Sequence, residues 1–517
     1  LRAHLAPAVT DGLISADSTV KFRHDLVLQA ARDLLPAAEL DRSRLAMARR
    51  LAEHDGYEQQ AAEQYLPVIG LIGDDDERRT AAALLHRAGR HAARITNYPA
   101  ADELLSAADR VLASAVADAD RDAIAMDRHI TLYCLGRHTD ADRIYRDLAA
   151  RSPDPLALTA ATAVQINSLT QRDECRAAIA LGLDTLRRFG ITPSADLAAD
   201  NQRAVLELRD WVAAHGPAYP ARESTDPRIV AVARILERLL GPTNLIAPDL
   251  YAWLVLQTHV LWQHNGMCAP LTGTLGGAIR VTSRLLDDHR TGYLLSRHAL
   301  RAAREHGYQA SAAVAAYIHL MLAAPWFEPL EEVVEGGWQA RDELLAVGDV
   351  QVAGLHWARL LVLLLETEDS LQTCAEETAA VLAFAEQTGN RFAGLIAVGH
   401  RQLIRMLRGQ TAGPGSFAGE DFDEAAYLDG ISENLPLLAG YHLDRALAAL
   451  LTDDAAALAE HSAAAMTHRE GFRGFYSGAL ARVTRCLSDP SPATTDARDW
   501  LARRAADAPR NFRPLLL

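Results

Sequence analysis

The stretch Thr80–Leu112, TAAALLHRAGRHAARITNYPAADELLSAADRVL, decides the fold class of this chain. Its apolar residues return every three or four positions, first over Leu84–Ile95 and again over Tyr98–Leu112. This spacing is typical of one face of an α-helix. Asn97–Pro99 lies between the two runs and predicts a turn. The stretch therefore predicts a helical hairpin.

The same pattern returns further along the chain. A second copy contains Gly136 and Ala141, and Ala141 follows Ala101 by 40 residues. A fainter third copy ends at Phe189-Gly190. Periods of about 34 to 40 residues are typical of tetratricopeptide-like repeats. The residues predict an all-α fold, a tetratricopeptide-like helical-hairpin solenoid; the alternative that they leave open is an irregular helical bundle.

Stretches rich in proline and glycine divide the helical pattern. His215–Pro227 contains three prolines and cannot be helical throughout, so it predicts a joint between two arrays. Gln410–Asp423 and Ser488–Thr495 are predicted connections of the same kind. The predicted units are residues 1–45 as the end of a winged-helix module, 46–215 as a first helical-repeat array, 228–410 as a second helical array and 424–517 as C-terminal helical hairpins.

The N-terminal residues have a different pattern. Apolar residues on both sides of the polar turn Ser15–Thr19 predict a short β-hairpin. A helix is predicted to start near Asp25 and to stop at Pro36. Its apolar face would be formed by Leu26, Ala30, Leu34 and Leu35. A hairpin followed by a short helix predicts a winged-helix remnant at the N-terminus.

The segment Phe22-Arg-His-Asp-Leu-Val27 resembles the His-Asp motif that closes the winged-helix part of signal-transducing nucleotide-switch (STAND) ATPases. The residues that follow are similar to the region after the ATPase in two groups of large bacterial proteins, the LuxR-type ATP-dependent regulators and the multidomain hybrid kinases. Three later segments resemble segments of the hybrid kinases and occur in the same order as they do there: Gly182–Pro193, Thr291–Tyr293 and Ala346–Asp349. The chain therefore resembles the tetratricopeptide-like region of hybrid serine/threonine–histidine kinase or cyclase-type signalling proteins.

This resemblance implies a role for His24. In the resembled ATPases the histidine of the motif contacts the β-phosphate of bound ADP, so His24 is the candidate ADP-phosphate sensor, acting only together with an ATPase domain outside these residues. An imidazole donates a hydrogen bond to phosphate and gains charge easily beside an anion. The alternative is a histidine that ends a strand and caps the next helix. ATP and ADP are the implied nucleotides of the parent protein, and no cofactor is implied within this segment.

Composition limits the partners and the compartment. The net charge is −15 and the sequence has no concentrated basic stretch, so nucleic-acid binding is not expected. Lys21 is the only lysine and follows no glycine-rich loop, which excludes a Walker-A loop and a protein-kinase fold in these residues. The five cysteines are scattered, which is typical of reduced thiols in a cytoplasmic protein. The apolar run Leu360–Leu365 is too short to span a membrane, and no membrane partner is predicted. The longer segment Leu355–Leu365 is apolar nearly all round, which predicts a central helix buried on several sides.

The sequence offers no catalytic or metal-binding motif. His259 and His264 stand five positions apart, a poor spacing for one helical face, and His461 and His468 lack a carboxylate or cysteine to complete a site. Gly413–Gly419 lacks lysine and follows a helix, which favours a linker. We therefore predict no catalytic residue and no metal ligand. The tryptophans of the second array are predicted to lie in the core, with a groove lining as the alternative: Trp253, Trp262, Trp326, Trp338 and Trp357.

These patterns and the resemblance predict a non-catalytic regulatory and scaffolding segment of a bacterial signal-transduction protein. Helical repeats offer a long concave surface. That surface would bind protein partners, neighbouring domains of the same chain or a small-molecule effector, and would control attached ATPase and output domains. The alternative is the sensor segment of an ATP-dependent LuxR-type transcription regulator. An enzyme with a helical-toroid active site would need a convergent cluster of acid, base or metal-binding residues, which the sequence does not present.

Overall fold

A computed structural model of the chain describes residues 2–16, 20–112, 118–215, 222–419, 422–489 and 495–516. About 80% of the structure is helical, and its strands form one two-stranded sheet in the described part of the chain. The predicted all-α, helical-hairpin fold is therefore confirmed. Two compact units are present, Leu1–Gln171 and Arg172–Leu517.

Some predicted features lie outside the described residues. They are residues 17–19 of the predicted polar turn, 216–221 of the predicted joint, 420–421 of the second connection and 490–494 of the third connection. The domain boundary predicted between residues 215 and 228 stays a prediction. The third hairpin copy belongs to the second unit, because its helix begins at Cys175.

The first unit contains a β-hairpin followed by helices that pack in chain order. Its elements are α1 (Arg2–Thr10), β1 (Ile14–Ala16), β2 (Val20–Phe22), α2 (Asp25–Asp33), α3 (Ala37–Ala52), α4 (Glu58–Tyr65), α5 (Asp75–Arg94), α6 (Tyr98–Leu112), α7 (Asp118–Cys134), α8 (His138–Arg151) and α9 (Pro155–Gln171). From α3 onward each helix contacts the next one along the chain. This nearest-neighbour packing is the solenoid-like arrangement that the repeats predict.

The α5–α6 hairpin shows why these residues form helices. The Asp74 side chain caps α5 by accepting a hydrogen bond from the backbone N–H of Glu77 at 2.9 Å. A Cβ atom on Gly89 would lie 2.8 Å from the side chain of Leu105, so the glycine allows the two helices to approach closely. The turn centres on Thr96, which has a φ of 59°. It lies slightly before the predicted turn, because α6 already begins at Tyr98.

The predicted N-terminal hairpin and helix are both present. Strands β1 and β2 are antiparallel, with Ile14 opposite Phe22. The apolar face of α2 is not part of a core, since Leu26 and Leu34 are each 83% exposed. Helix α2 contacts β2, and the described residues leave the rest of this face uncovered.

The second unit is also built from helices, several of which pack on the next helix but one along the chain. The helices are α10 (Cys175–Arg188), α11 (Leu197–His215), α12 (Pro227–Ile246), α13 (Pro248–Asn265), α14 (Ala269–Gly276), α15 (Ala278–Leu286), α16 (His289–Glu305), α17 (Gln309–Ile318), α18 (Leu330–Ala346), α19 (Val350–Thr367), α20 (Leu371–Thr388), α21 (Arg391–Leu407), α22 (Glu424–Ile431), α23 (Leu435–Leu451), α24 (Ala455–Thr467), α25 (Ser477–Ser488), α26 (Thr495–Asp507) and α27 (Pro509–Phe512). A π-helical turn, His319–Ala323, follows α17, and a 3-10 turn, Arg469–Phe472, precedes α25.

Helix α19 is the central apolar helix that the sequence predicts. Among the described helices it is the one whose length and composition would allow it to cross a membrane. Its residues Leu360, Leu361 and Leu364 are buried in the largest hydrophobic cluster of the protein. The helix packs against α18, α20 and α21, so its apolar surface serves as core.

The tryptophans divide between core and surface. Trp253, Trp262 and Trp326 are buried, as predicted. Trp338 and Trp357 are partly buried, and their rings lie 5.0 and 4.8 Å from the guanidinium carbon of Arg341.

The glycine-rich segment around Gly413–Gly419 is anchored to the core. Phe417 is fully buried, and its carbonyl oxygen accepts a hydrogen bond from the Gln402 side chain at 2.7 Å. Its ring also lies 4.9 Å from the guanidinium carbon of Arg445. These contacts hold the connection between α21 and α22 against α21 and α23.

Candidate functional site

His24 lies in the bend between β2 and α2 and is exposed. Its backbone carbonyl accepts hydrogen bonds from the N–H groups of Val27 and Leu28 at 3.0 and 3.3 Å. The imidazole is accessible to a phosphate group, while the backbone contacts suit a residue that starts the next helix. Both interpretations remain open, and the ADP-sensing role of His24 stays a prediction.

The histidines singled out in the sequence are placed differently from one another. His259 packs edge-on against Trp211 and Trp262, and burial lowers its pKa to about 4. His264 hydrogen-bonds the carbonyl of Val260 in its own helix at 2.8 Å. These two side chains therefore serve the packing and the backbone of α13.

His461 and His468 both lie beside His442, a residue that sequence reasoning missed. The Nδ1 atoms of His442 and His461 are 3.0 Å apart, and the rings of His442 and His468 stack at 6.1 Å. Burial, followed by the charge of His461, lowers the pKa of His442 to about 4. Among the described residues, no group of three or more His, Cys, Asp or Glu side chains is arranged to hold a metal ion.

One buried network has the residue types of a nucleophilic triad. The Nδ1 atom of His319 lies 3.3 Å from the Ser296 hydroxyl, and its Nε2 atom lies 3.4 Å from Glu328. Glu328 also accepts a 2.8 Å hydrogen bond from Tyr293. Ser296 is fully buried, whereas a catalytic nucleophile must be reachable by substrate. The network therefore ties α16 to the π-helical turn.

The second unit contains a cavity of about 940 Å³, which we call the arginine cavity. Its walls come from the junction of α12 and α13, from α15 and α21, from the α22–α23 connection and from the 3-10 turn Arg469–Phe472. Tyr251, Val281, Phe392 and Leu395 supply apolar lining. This volume lies within the range of small-molecule sites.

Two glycines shape one side of the arginine cavity. A Cβ atom on Gly277 would lie 2.4 Å from the Tyr251 hydroxyl, so only glycine leaves room for this ring at the start of α15. Gly474 has a φ of +84°, a left-handed conformation that favours glycine. A Cβ atom there would lie 3.3 Å from Cγ of Arg280. Both glycines allow the backbone to approach the cavity-lining side chains closely.

Four arginines line this cavity: Arg280, Arg284, Arg391 and Arg473. Arg473 is paired with Glu470 at 2.8 Å. Arg284 donates from Nη2 to Asp249 at 2.8 Å, while its buried Nη1 has no hydrogen-bond partner among the described residues. The side chain of Arg284 is therefore held in place with one donor group free.

Arg280 forms no ion pair with a described carboxylate. Its guanidinium carbon lies 5.9 Å from the Tyr251 ring and 5.8 Å from the Phe475 ring. The guanidinium carbon of Arg359 lies 4.6 Å from the same Phe475 ring, and the Arg359 Nε is buried without a described partner. Burial lowers the pKa of both arginines from its usual value, and for Arg359 the nearby charge of Arg280 adds to the effect.

Aromatic contacts do not offset the burial of these charges. A desolvated cation–π contact contributes about 2 kcal/mol. Taking an ion out of water costs several kcal/mol after the protein has relaxed. Arg280 and Arg359 are both partly exposed and lack a carboxylate partner among the described residues, and an anion bound in the cavity would pair with Arg280, which lines it.

Carboxylates lie on the outer parts of the same cavity. Asp429 at the end of α22 and Glu433 in the α22–α23 connection line it and are exposed, as is Glu470 on the 3-10 turn. The site therefore combines partly buried guanidinium groups with exposed acidic residues.

The fold and this site define a class: a helical-repeat protein with a ligand-sized, arginine-lined cavity. No protein-family model matches the chain, and no curated protein is significantly similar to it in sequence.

Sequence reasoning missed the arginine cavity, although one signal was present. Arg280 follows the apolar segment Leu275–Ile279, and Arg359 stands directly before the apolar run Leu360–Leu365. An arginine within an apolar helix is seldom buried unless it is paired. What the sequence did not show is that neither residue has a carboxylate partner in the part of the chain that the structure describes.

Proposed function

We propose that this chain is a non-catalytic regulatory and scaffolding segment of a bacterial signal-transduction protein. Its helical hairpins bind a partner or an effector and control attached ATPase and output domains. The observation that carries this proposal is the arginine cavity within a helical-hairpin unit. It has the size and mixed lining of a small-molecule site.

The chemistry of the site supports binding rather than turnover. Its partly buried arginines, Arg280 and Arg284, are donors that do not accept protons at neutral pH. The Ser296 network, which has the residue types for catalysis, is buried and is built from α16 and the π-helical turn. The resemblance of Phe22–Val27 to the closing motif of nucleotide-switch ATPases supplies the signalling context.

We expect the isolated chain neither to hydrolyse ATP nor to bind it tightly. Its only lysine, Lys21, stands outside any glycine-rich phosphate loop. The exposed acidic residues Asp429 and Glu433 would repel a triphosphate at the arginine cavity. Isothermal calorimetry and a phosphate-release assay on pure protein would measure this, and micromolar affinity or measurable turnover would contradict the proposal.

A second prediction tests the regulatory role in the full-length protein that the resemblance implies. His24→Ala should weaken ADP retention about tenfold or more, because a hydrogen bond from imidazole to a charged phosphate would be lost. Basal output should rise, since the closed state depends on ADP. Nucleotide dissociation and output activity would be measured with His54→Ala as the control, since His54 is also exposed. Unchanged ADP affinity and output in His24→Ala would show that His24 is only structural.

A further inference from the structure

We propose that the arginine cavity binds a small organic anion of low charge, a carboxylate or a phosphate monoester on an apolar body, with Arg280 and Arg284 holding the oxyanion. This inference names the ligand class of the effector-binding role proposed above and rests on that role.

The arginines provide hydrogen-bond donors that no described residue uses. Arg280 lines the cavity and makes ring contacts with Tyr251 and Phe475, without an ion pair to a described carboxylate. The Nη1 of Arg284 is buried without a described partner, and Asp249 fixes the other end of that guanidinium. A guanidinium presents a planar fork of N–H donors that matches carboxylate and phosphate oxygens. Because Arg284 is already held in place, little conformational entropy would be lost on binding.

Other charged side chains lie near the two arginines that are proposed to bind the anion. Arg359 adds a second partly buried positive charge beside the Phe475 ring. The carboxylate of Glu470 is engaged by Arg473 and does not form an ion pair with Arg280. An oxyanion in the cavity would therefore meet the charge of Arg280 directly, whereas Arg359 contacts the Phe475 ring without lining the cavity.

The remaining lining defines the rest of the ligand. Phe392, Leu395 and Tyr251 offer an apolar surface on which an aromatic or aliphatic body can pack. Asp429 and Glu433 carry negative charge at exposed positions of the cavity. A polyanion would be repelled there, whereas a ligand with one or two charges can place them against the arginines. This distribution favours an organic acid or a phosphate monoester over a triphosphate.

Binding can be tested on the whole chain with four probes of matched shape or charge. They are 2-naphthoate, 2-naphthyl phosphate, the neutral 2-naphthamide and inorganic phosphate. We expect at least one of the two naphthyl anions to bind roughly tenfold more tightly than 2-naphthamide by calorimetry. The same anion should raise the thermal unfolding midpoint by mass action. The comparison of the two anions distinguishes a carboxylate from a phosphate preference, and inorganic phosphate measures the contribution of the oxyanion alone.

Variants separate a binding role from a structural one. Arg280→Met replaces a partly buried charge without an ion-pair partner among the described residues by an apolar chain, so it should leave the unfolding midpoint unchanged or raise it while weakening anion binding at least about tenfold. Arg284→Gln should also weaken anion binding. Arg209→Met, a change at an exposed arginine of α11 paired with the adjacent Asp210, is the matched control and should bind as the unchanged protein does.

Three outcomes would overturn the inference. Equal binding of 2-naphthamide and the two anions would show a ligand cavity without charge preference, and this result would leave the effector-binding role intact. Unchanged anion binding in both Arg280→Met and Arg284→Gln would place the anion elsewhere. Failure of every probe to bind would contradict the inference that the arginine cavity is an anion site. The regulatory role would still be decided by the His24→Ala experiment.

Discussion

Trp326→Ala should lower the free energy of unfolding of the second unit by about 3 to 5 kcal/mol. Trp326 is only 2% exposed and stacks on Phe512 with 5.6 Å between the ring centres. Its indole N–H donates to the carbonyl oxygens of Leu322 and Gly474 at 2.8 and 2.9 Å. The substitution leaves a large cavity and also removes the donor to both carbonyls. Urea denaturation followed by far-ultraviolet circular dichroism would measure the loss.

A matched control for this change is Trp338→Ala. Trp338 is only partly buried at the edge of the same cluster. Its removal should lower the free energy of unfolding less than Trp326→Ala does, because water can fill the space that the ring vacates. A loss in Trp326→Ala that is no larger than the loss in Trp338→Ala would contradict the central role of Trp326. Trp326→Phe retains most of the apolar contact. The free energy of unfolding of that variant should therefore lie between the values for the unchanged protein and for Trp326→Ala.

Gly292→Val should destabilise the second unit by about 3 kcal/mol, the upper end of the usual range for overpacking. A Cβ atom on Gly292 would lie 2.3 Å from the Cα atom and 2.8 Å from the backbone nitrogen of Ile279. Both atoms belong to the backbone of α15, so no change of rotamer can relieve the overlap. Helices α15 and α16 would have to separate, and the wall of the arginine cavity that contains Arg280 would move with α15.

The control for the glycine prediction is Gly440→Val in α23. A Cβ atom on Gly440 meets no other atom within 4 Å, and helical propensity slightly favours valine over glycine. We expect a change in the free energy of unfolding below about 1 kcal/mol. Both variants would be compared by thermal and urea unfolding. Equal midpoints for Gly292→Val and the unchanged protein would show that the α15–α16 crossing can relax.

The α5–α6 hairpin and helix α19 could be predicted from the sequence because their signals are local. The apolar face of α5 and α6 repeats with the period of the helix, and Asp74 caps the first turn. The segment Leu355–Leu365, apolar nearly all round, predicted a helix buried on several sides, and α19 packs on three neighbouring helices. The face of α2 was harder to interpret, since its pattern predicted an apolar face and Leu26 is largely exposed in the described structure.

The candidate site could not be predicted in the same way. Tyr251, Arg280, Phe392 and Arg473 come from four parts of the chain, and only the packing of α13, α15, α21 and the 3-10 turn brings them to one cavity. The His442–His461 contact likewise needs the pairing of α23 with α24. Single positions with unusual chemistry were visible in the sequence, but their partners were not.

The sequence by itself determined the all-α class and the helical hairpins of this protein, because helix formation depends on residues three or four positions apart and on hydrogen bonds within one turn. Only the tertiary structure decided that Gly292 touches the backbone of α15 and that Arg280 lies in a cavity without a described carboxylate partner. The physical reason is that the interacting groups lie far apart along the chain. A charge is compensated or left unpaired by whatever groups folding places within a few ångströms of it, and those groups come from distant parts of the chain.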